Sequence, residues 1–244
     1  MYKFIQILKR DLFNLILNPM WIFFCTFFPF LLIVILGFLT AGNFGNKVTS
    51  YDYYGIAMMI YSILNTATIA SNSFMEESIK DGNMRILFSP IKLSYIYFSK
   101  IIATFIFASV FHFAIILLMH FMLGVNYGGL SCFIIFLLFE FFSSALGVLF
   151  CCIFKSENTA NQVLGIIINI FALFGGVFFQ MDGLGNAIEK ITYISPIKWV
   201  LKAILCIIYD KNYGYFLPSA VMLIAVSVIV IILCHILYKT EDYV

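Results

Sequence analysis

The chain has 244 residues, of which 63% are hydrophobic and 11% are charged, and its mean hydropathy is +1.05. Soluble domains carry about 25% charged residues, so this composition excludes an ordinary soluble protein and predicts a membrane protein with several spans. A formal net charge of +2, with Lys and Arg scattered at segment ends, does not favour nucleic acid as a partner. At about 20 residues per spanning helix, there is room for about six spans and for no soluble catalytic domain.

The first segment, residues 1–18, is predicted to be a helix that lies in the membrane interface. Its apolar and polar residues recur with helical spacing and fall largely on opposite sides. The apolar side holds Ile5, Leu8, Leu12, Leu15 and Ile16, and the polar side holds Lys3, Gln6, Lys9, Arg10 and Asn14. Asn18-Pro19 ends the pattern. The alternative is a simple overhang on the soluble side.

Six apolar segments follow, and they predict an all-α membrane protein with six transmembrane helices. The predicted spans are residues 20–41, with a kink at Pro29, then 53–74, 96–123, 130–154, 159–179, which includes Gly175-Gly176, and 216–238. Between the last two spans, residues 180–215 contain an apolar piece, 197–208. A piece of about 12 residues cannot cross a core of about 30 Å, so it should be re-entrant or interfacial.

The positive charges predict the orientation. One side of the predicted bundle carries most of the Lys and Arg residues, namely Lys3, Lys9, Arg10, Lys80, Arg85, Lys92, Lys100, Lys155 and Lys239. The other side carries Lys47, Lys190, Lys198, Lys202 and Lys211. Because positive residues accumulate on the cytoplasmic side, both termini and the loop between the second and third spans are expected in the cytoplasm.

A polar stretch, residues 76–90, interrupts the apolar segments and must lie in water, because it holds five ionised side chains. Gly82 marks a bend, and Ile86, Leu87 and Phe88 give a short helix an apolar edge before Pro90. An exposed helix of this kind is typical of a docking element. The alternative is a solvated loop whose apolar residues rest on the bilayer.

Four polar residues are predicted near the middle of the membrane. Counting about 1.5 Å per residue places Glu140 and His112 at a depth of about 15 Å, with Asn65 and Asn169 at a similar depth. A carboxyl group in hydrocarbon needs a partner. We expect Glu140 and His112 to form a polar pair that shapes the substrate path or a subunit contact. A neutral Glu140 that only helps helix packing is the alternative.

Enzyme motifs are missing from the sequence. No G-x-x-x-x-G-K-[ST] segment is present for ATP, and no His-Glu-x-x-His segment is present for zinc. The six cysteines show no metal-ligand spacing and are interpreted as small apolar packing residues: Cys25, Cys132, Cys151, Cys152, Cys206 and Cys234. No catalytic, cofactor or metal site is therefore predicted in this chain.

The polar stretch has the form E-x-x-x-x-G-N-x-R-x-L-F-S-P, and an S-P-I-K-W segment precedes the last span. With the interfacial helix and the six spans, this arrangement resembles the ABC-2 type permease family over nearly the whole chain, 1–244. The resemblance implies that residues 76–92 form a cytoplasmic coupling stretch that docks on an ATPase. The implied docking residues are Glu76, Glu77, Gly82, Arg85, Leu87, Phe88 and Pro90.

The resemblance also implies partners and a location. A dimer of ABC ATPase subunits would bind ATP and Mg²⁺, and a second permease copy or a paralogue would complete the path among membrane lipids. Residues 180–215 would cap the exit on the outer side. We expect a bacterial cell membrane and efflux of drugs, antimicrobial peptides or other amphipathic compounds. Export of polysaccharide or lipid-linked glycan is the alternative, as is a membrane scaffold or sensor subunit without transport.

Overall fold

The computed structural model describes residues 2–45, 48–76, 79, 92, 94–178 and 190–238. Within these ranges the chain is helical and has no strand, which confirms the all-α prediction. The helices are α1 Tyr2–Leu17, α2 Pro19–Cys25, α3 Phe27–Leu39, α4 Ser50–Met75, α5 Ser94–Leu123, α6 Leu130–Phe154, α7 Glu157–Gly175, α8 Pro196–Tyr209 and α9 Phe216–Leu237.

Five helical segments are long and apolar enough to cross a membrane. They are Pro19–Leu39, which combines α2 and α3, together with α5, α6, α7 and α9. These five coincide with predicted spans, because a continuous apolar run of about 20 residues is the strongest signal in such a sequence. The molecule is therefore a multi-pass membrane protein.

Two details of these spans differ from the predictions. The first span is interrupted at Thr26, three residues before Pro29. Proline cannot donate to the carbonyl one turn earlier and its ring crowds that carbonyl, so the break precedes the proline itself. The fifth span ends at Gly175 instead of continuing to residue 179, because Gly176 adopts a left-handed conformation with φ of 80° and caps the helix.

Helix α4 forms the centre of the molecule. It covers the predicted second span but falls outside the set of five, because it is rich in Ser, Thr, Asn and Tyr. Twenty of its 26 residues are buried, and it packs on α3, α5, α6, α7 and α8. Its closest neighbour is α6, where a Cβ on Gly147 would lie 2.0 Å from the Ala67 carbonyl oxygen. Only glycine permits the two backbones to approach this closely.

The short helix α8 begins with Pro196 at its first turn, a position at which proline needs no hydrogen-bond partner. Its 14 residues extend about 21 Å, which is too short to cross a bilayer. The predicted apolar piece at 197–208 is therefore helical. Helix α8 packs against α4, α6, α7 and α9, and Ile208 near its end approaches Gly128 in the loop between α5 and α6.

Side-chain contacts define the two ends of the bundle. At one end, called here the α1 end, α1 packs along α5, and the Tyr238 ring contacts those of Phe74 and Tyr97. At the opposite end, Asn126 donates its backbone N–H to Asp52. The Tyr53 hydroxyl there donates to the Gly176 carbonyl. The α1 end thus gathers the end of α4 and the start of α5, which flank the polar stretch.

Candidate functional site

The predicted docking stretch lies almost entirely outside the described residues. Of its predicted docking residues, the structure describes Glu76, whose N–H donates to the Asn72 carbonyl and ends α4. The other six lie outside the described residues, namely Glu77, Gly82, Arg85, Leu87, Phe88 and Pro90. Their role stays a prediction.

A buried polar chain joins three helices in the middle of the bundle. Nδ1 of His112 on α5 lies 2.7 Å from Oε2 of Glu140 on α6. Nε2 of the same ring lies 3.0 Å from the Ser62 hydroxyl on α4. His112 is 3% exposed and Glu140 is 2% exposed, so both side chains lie inside the chain rather than on its surface. The contact between the two predicted residues is therefore an internal one.

The protonation of this pair follows from its burial. A carboxyl group and an imidazole that share one proton form a pair without net charge, whichever of them holds the proton. Adding or removing a proton would create a net charge in a medium that penalises it strongly. Glu140 Oε1 has no hydrogen-bond partner among the described residues, so the carboxyl group is only half satisfied.

Asn65 and Asn169 belong to a different group. The Tyr61 hydroxyl donates to Asn169 Oδ1 at 3.1 Å, and Asn65 Nδ2 donates to the Tyr61 carbonyl at 2.8 Å. Nearer the α1 end, Asn161 Nδ2 donates to Asn72 Oδ1 at 3.1 Å. These contacts join two stripes of polar residues on neighbouring helices.

We call this surface the polar face. On α4 it comprises Tyr61, Asn65, Thr68 and Asn72, and on α7 it comprises Asn158, Asn161, Gln162 and Asn169. The α4 residues recur at intervals of three and four, so they lie along one side of the helix. Except for Asn72, the side chains of this set are half-buried or exposed. The stripe from Tyr61 to Asn72 extends about 16 Å along α4.

The structure therefore separates the four predicted intramembrane residues into two pairs. Glu140 and His112 are buried on one side of α4, whereas Asn65 and Asn169 lie on its half-exposed polar face. Consecutive residues of α4 mark the division, since Ser62 contacts the first pair and Tyr61 contacts the second. Depth alone could not distinguish them, because side chains one residue apart differ by about 100° around a helix.

Sequence reasoning missed one ion pair. Lys100 Nζ lies 2.5 Å from Asp11 Oδ1, and the Ser99 hydroxyl donates to Asp11 Oδ2 at 2.8 Å. Lys100 is 1% exposed and Asp11 is 3% exposed. The pair fixes α1 on the first turns of α5. Its signal was a carboxyl group at helical spacing within the apolar stripe Leu8, Leu12 and Leu15.

The cysteines occupy packing positions. Five of the six are buried and Cys206 is half-buried. In the part of the chain that the structure describes, no group of three His, Cys, Asp or Glu side chains could hold a metal ion.

A cluster of aromatic residues surrounds Lys202 at the opposite end. Lys202 Nζ donates to the Tyr193 hydroxyl and lies 4.7 Å from the centre of the Tyr215 ring. Trp199 Nε1 donates to the Tyr193 carbonyl at 2.9 Å. The hydrogen bond to Tyr193 raises the pKa of Lys202, so its ammonium group stays charged at physiological pH.

A comparison with protein-family models gives one match, to the ABC-2 type transporter model over residues 2–209. No curated protein matches the chain significantly. The matched family is the membrane component of ABC transporters and is not itself the ATPase, so it implies an ABC ATPase partner. The match covers most of the helical bundle, from α1 to the end of α8. The chain belongs to the ABC-2 type transporter family.

Proposed function

We propose that the chain is one half of an exporter that moves an amphipathic compound, such as a drug or an antimicrobial peptide, out of a bacterial cell. A second permease copy or a paralogue supplies the other half of the path. A separate dimer of ABC ATPase subunits binds ATP and Mg²⁺ and drives transport. Both termini and residues 76–92 lie in the cytoplasm, and residues 180–215 cap the exit.

The polar face is the observation that carries this proposal. Its amide and hydroxyl groups lie on the side of helices that are otherwise apolar, at a depth where hydrocarbon offers them no hydrogen bonds. Polar groups at such depth lie against protein or a water-filled cavity. A second permease subunit that faces this surface encloses it, and the enclosed space becomes a path with polar walls.

Helix α4 is the sixth span in this proposal. Its 26 residues extend about 39 Å, enough to cross a core of about 30 Å. It can be polar because neighbouring helices cover most of its surface and the partner subunit covers the rest. Its end at Glu76 lies at the α1 end, so movement of the docking stretch acts directly on the helix that carries the polar face.

Transport after reconstitution with the neighbouring ATPase tests the path. The double variant Asn65→Leu and Asn169→Leu removes amide groups from the polar face and should lower transport at least tenfold, with ATPase binding unchanged. Ile170→Leu, at an exposed position of α7, is the control and should transport normally. Normal transport by the double variant would place the path elsewhere.

Co-purification tests the docking stretch separately. Leu87→Asp, or deletion of residues 82–88, should abolish binding of the ATPase. Leu130→Asp makes the same change at an exposed position at the opposite end, where an acidic residue suits the start of α6, and should bind normally. Unchanged binding by Leu87→Asp refutes the docking role and leaves the polar face to be judged by transport.

A further inference from the structure

A crevice opens beside the aromatic cluster, below the start of α8. It has a volume of about 380 Å³ and lies between α7 and α9, with α6 as its back wall. We infer that this crevice binds one acyl chain of a phospholipid from the adjacent leaflet, and that Lys202 holds the phosphate of the same lipid.

The walls of the crevice are apolar. Phe142 and Leu146 of α6 form the back, Phe171 of α7 forms one side, and residues of α9 from Met222 to Val230 form the other. A cavity with such walls does not retain water, which would lack hydrogen-bond partners there. Its occupant must therefore be apolar.

The shape of the crevice selects a chain-like occupant. Met222 and Val230 both line it, and they lie about 12 Å apart along α9. Because α9 crosses the membrane, this direction is the one in which acyl chains extend. The mouth opens sideways at Ile194, which is 73% exposed. A chain can enter from the surrounding bilayer without passing through the protein.

Tyr193 connects the crevice to a charged group. Its side of the mouth lines the cavity, while its hydroxyl accepts from Lys202, one turn of α8 beyond Trp199. Tyr, Trp and Lys together are typical of the headgroup level of a bilayer. Among the described residues Lys202 forms no ion pair, so its charge complements an anionic group from outside the chain. The phosphate of a lipid lies at that level.

The position of the crevice argues against the second permease subunit as its occupant. Phe171 lies two residues from Asn169, so the two side chains leave α7 about 200° apart. The polar face and the crevice are therefore on opposite sides of α7. The partner subunit that covers the polar face leaves the crevice exposed to lipid.

Fluorescence of Trp199 provides a direct test, because the chain has only two tryptophans. The full chain with Trp21→Phe is placed in phosphatidylcholine nanodiscs that contain increasing amounts of phosphatidylglycerol with brominated acyl chains. Bromine quenches tryptophan at short range. We expect quenching of Trp199 that saturates at a low fraction of brominated lipid, as for one specific site.

Two valines of α9 form a matched pair for this test. Val226→Phe fills the crevice and should abolish the saturable quenching, whereas Val228→Phe, on the exposed side of α9, should preserve it. Lys202→Gln should raise the half-saturating fraction about tenfold, the loss expected for a hydrogen bond to a charged group. Brominated diacylglycerol, which lacks the phosphate, should require a similarly higher fraction with the Lys202 protein.

Several results would overturn the inference. Quenching that rises linearly with the brominated fraction would mean bulk lipid only. Equal effects of Val226→Phe and Val228→Phe would exclude the crevice as the site. Absence of quenching would mean that protein, such as a second copy, covers the crevice. Circular dichroism verifies that each variant is folded, and the Lys202→Gln result stands independently of the valine variants.

Discussion

Two buried acid–base pairs lie on the same helix and differ in how completely they are satisfied. Asp11–Lys100 lies at the α1 end, and His112–Glu140 lies about 18 Å further along α5. In the first pair both carboxylate oxygens have partners, Lys100 and Ser99. In the second pair one carboxyl oxygen has none among the described residues.

The chemistry of the partners explains what each pair can do. An ammonium group opposite a carboxylate keeps both charges, so breaking Asp11–Lys100 leaves a full charge in an apolar environment. An imidazole opposite a carboxyl group can become neutral by moving one proton. The first pair is suited to hold α1 on α5 permanently, and the second to change its contacts at little electrostatic cost.

The largest effect is expected from Asp11→Asn. The variant leaves Lys100 buried without a counter-charge, which should lower the free energy of unfolding by about 3–5 kcal/mol. Thermal unfolding of the purified protein in detergent measures this loss. The control is the double variant Asp11→Leu and Lys100→Met, which removes both charges and should recover most of the stability. A double variant as unstable as the single one would show that the charge is not the cause.

A smaller effect is expected from Glu140→Gln. A neutral amide can still hydrogen-bond His112, so no buried charge is left alone and the loss should be about 1–2 kcal/mol. The same unfolding measurement tests it. A loss as large as that of Asp11→Asn would show that Glu140 is ionised in the resting protein. Full transport by Glu140→Gln would exclude any role for its charge in transport.

These pairs also show what the sequence could predict. Spans are predictable because hydrocarbon admits only apolar helices of a fixed minimum length, and all five helices with that signal appear. Depth is predictable by counting residues, which is why His112 and Glu140 were expected at one level. Both signals are properties of a single helix.

Rotation of a helix about its own axis is a property of packing, and there the sequence was insufficient. Asp11 looks like part of a charged surface beside Lys9 and Arg10, yet it faces α5 and its neighbours face outward. Asn65 has the depth of His112 but points to another side of α4. Gly176 could be read as part of a span until its left-handed conformation ended α7.

Ser62→Ala sharpens the description of the second pair. It removes the hydroxyl group that contacts His112 Nε2 and should cost about 1 kcal/mol, because one buried nitrogen loses its partner. Ser144→Ala is the matched control on α6, since that hydroxyl donates only to the Glu140 carbonyl of its own helix. Chemical unfolding should separate the two variants. Equal losses would show that the contact with His112 contributes nothing specific.

The smallest effect is expected from Lys9→Gln. Lys9 lies two residues from Asp11 on α1, but its side chain is exposed, and an exposed charge away from buried partners changes stability by less than about 0.5 kcal/mol. Thermal unfolding beside Asp11→Asn makes the contrast within one helix. A loss comparable to that of Asp11→Asn would mean that the total charge of α1, and not its buried contact with Lys100, holds the helix in place. A negligible loss assigns that role to the contact.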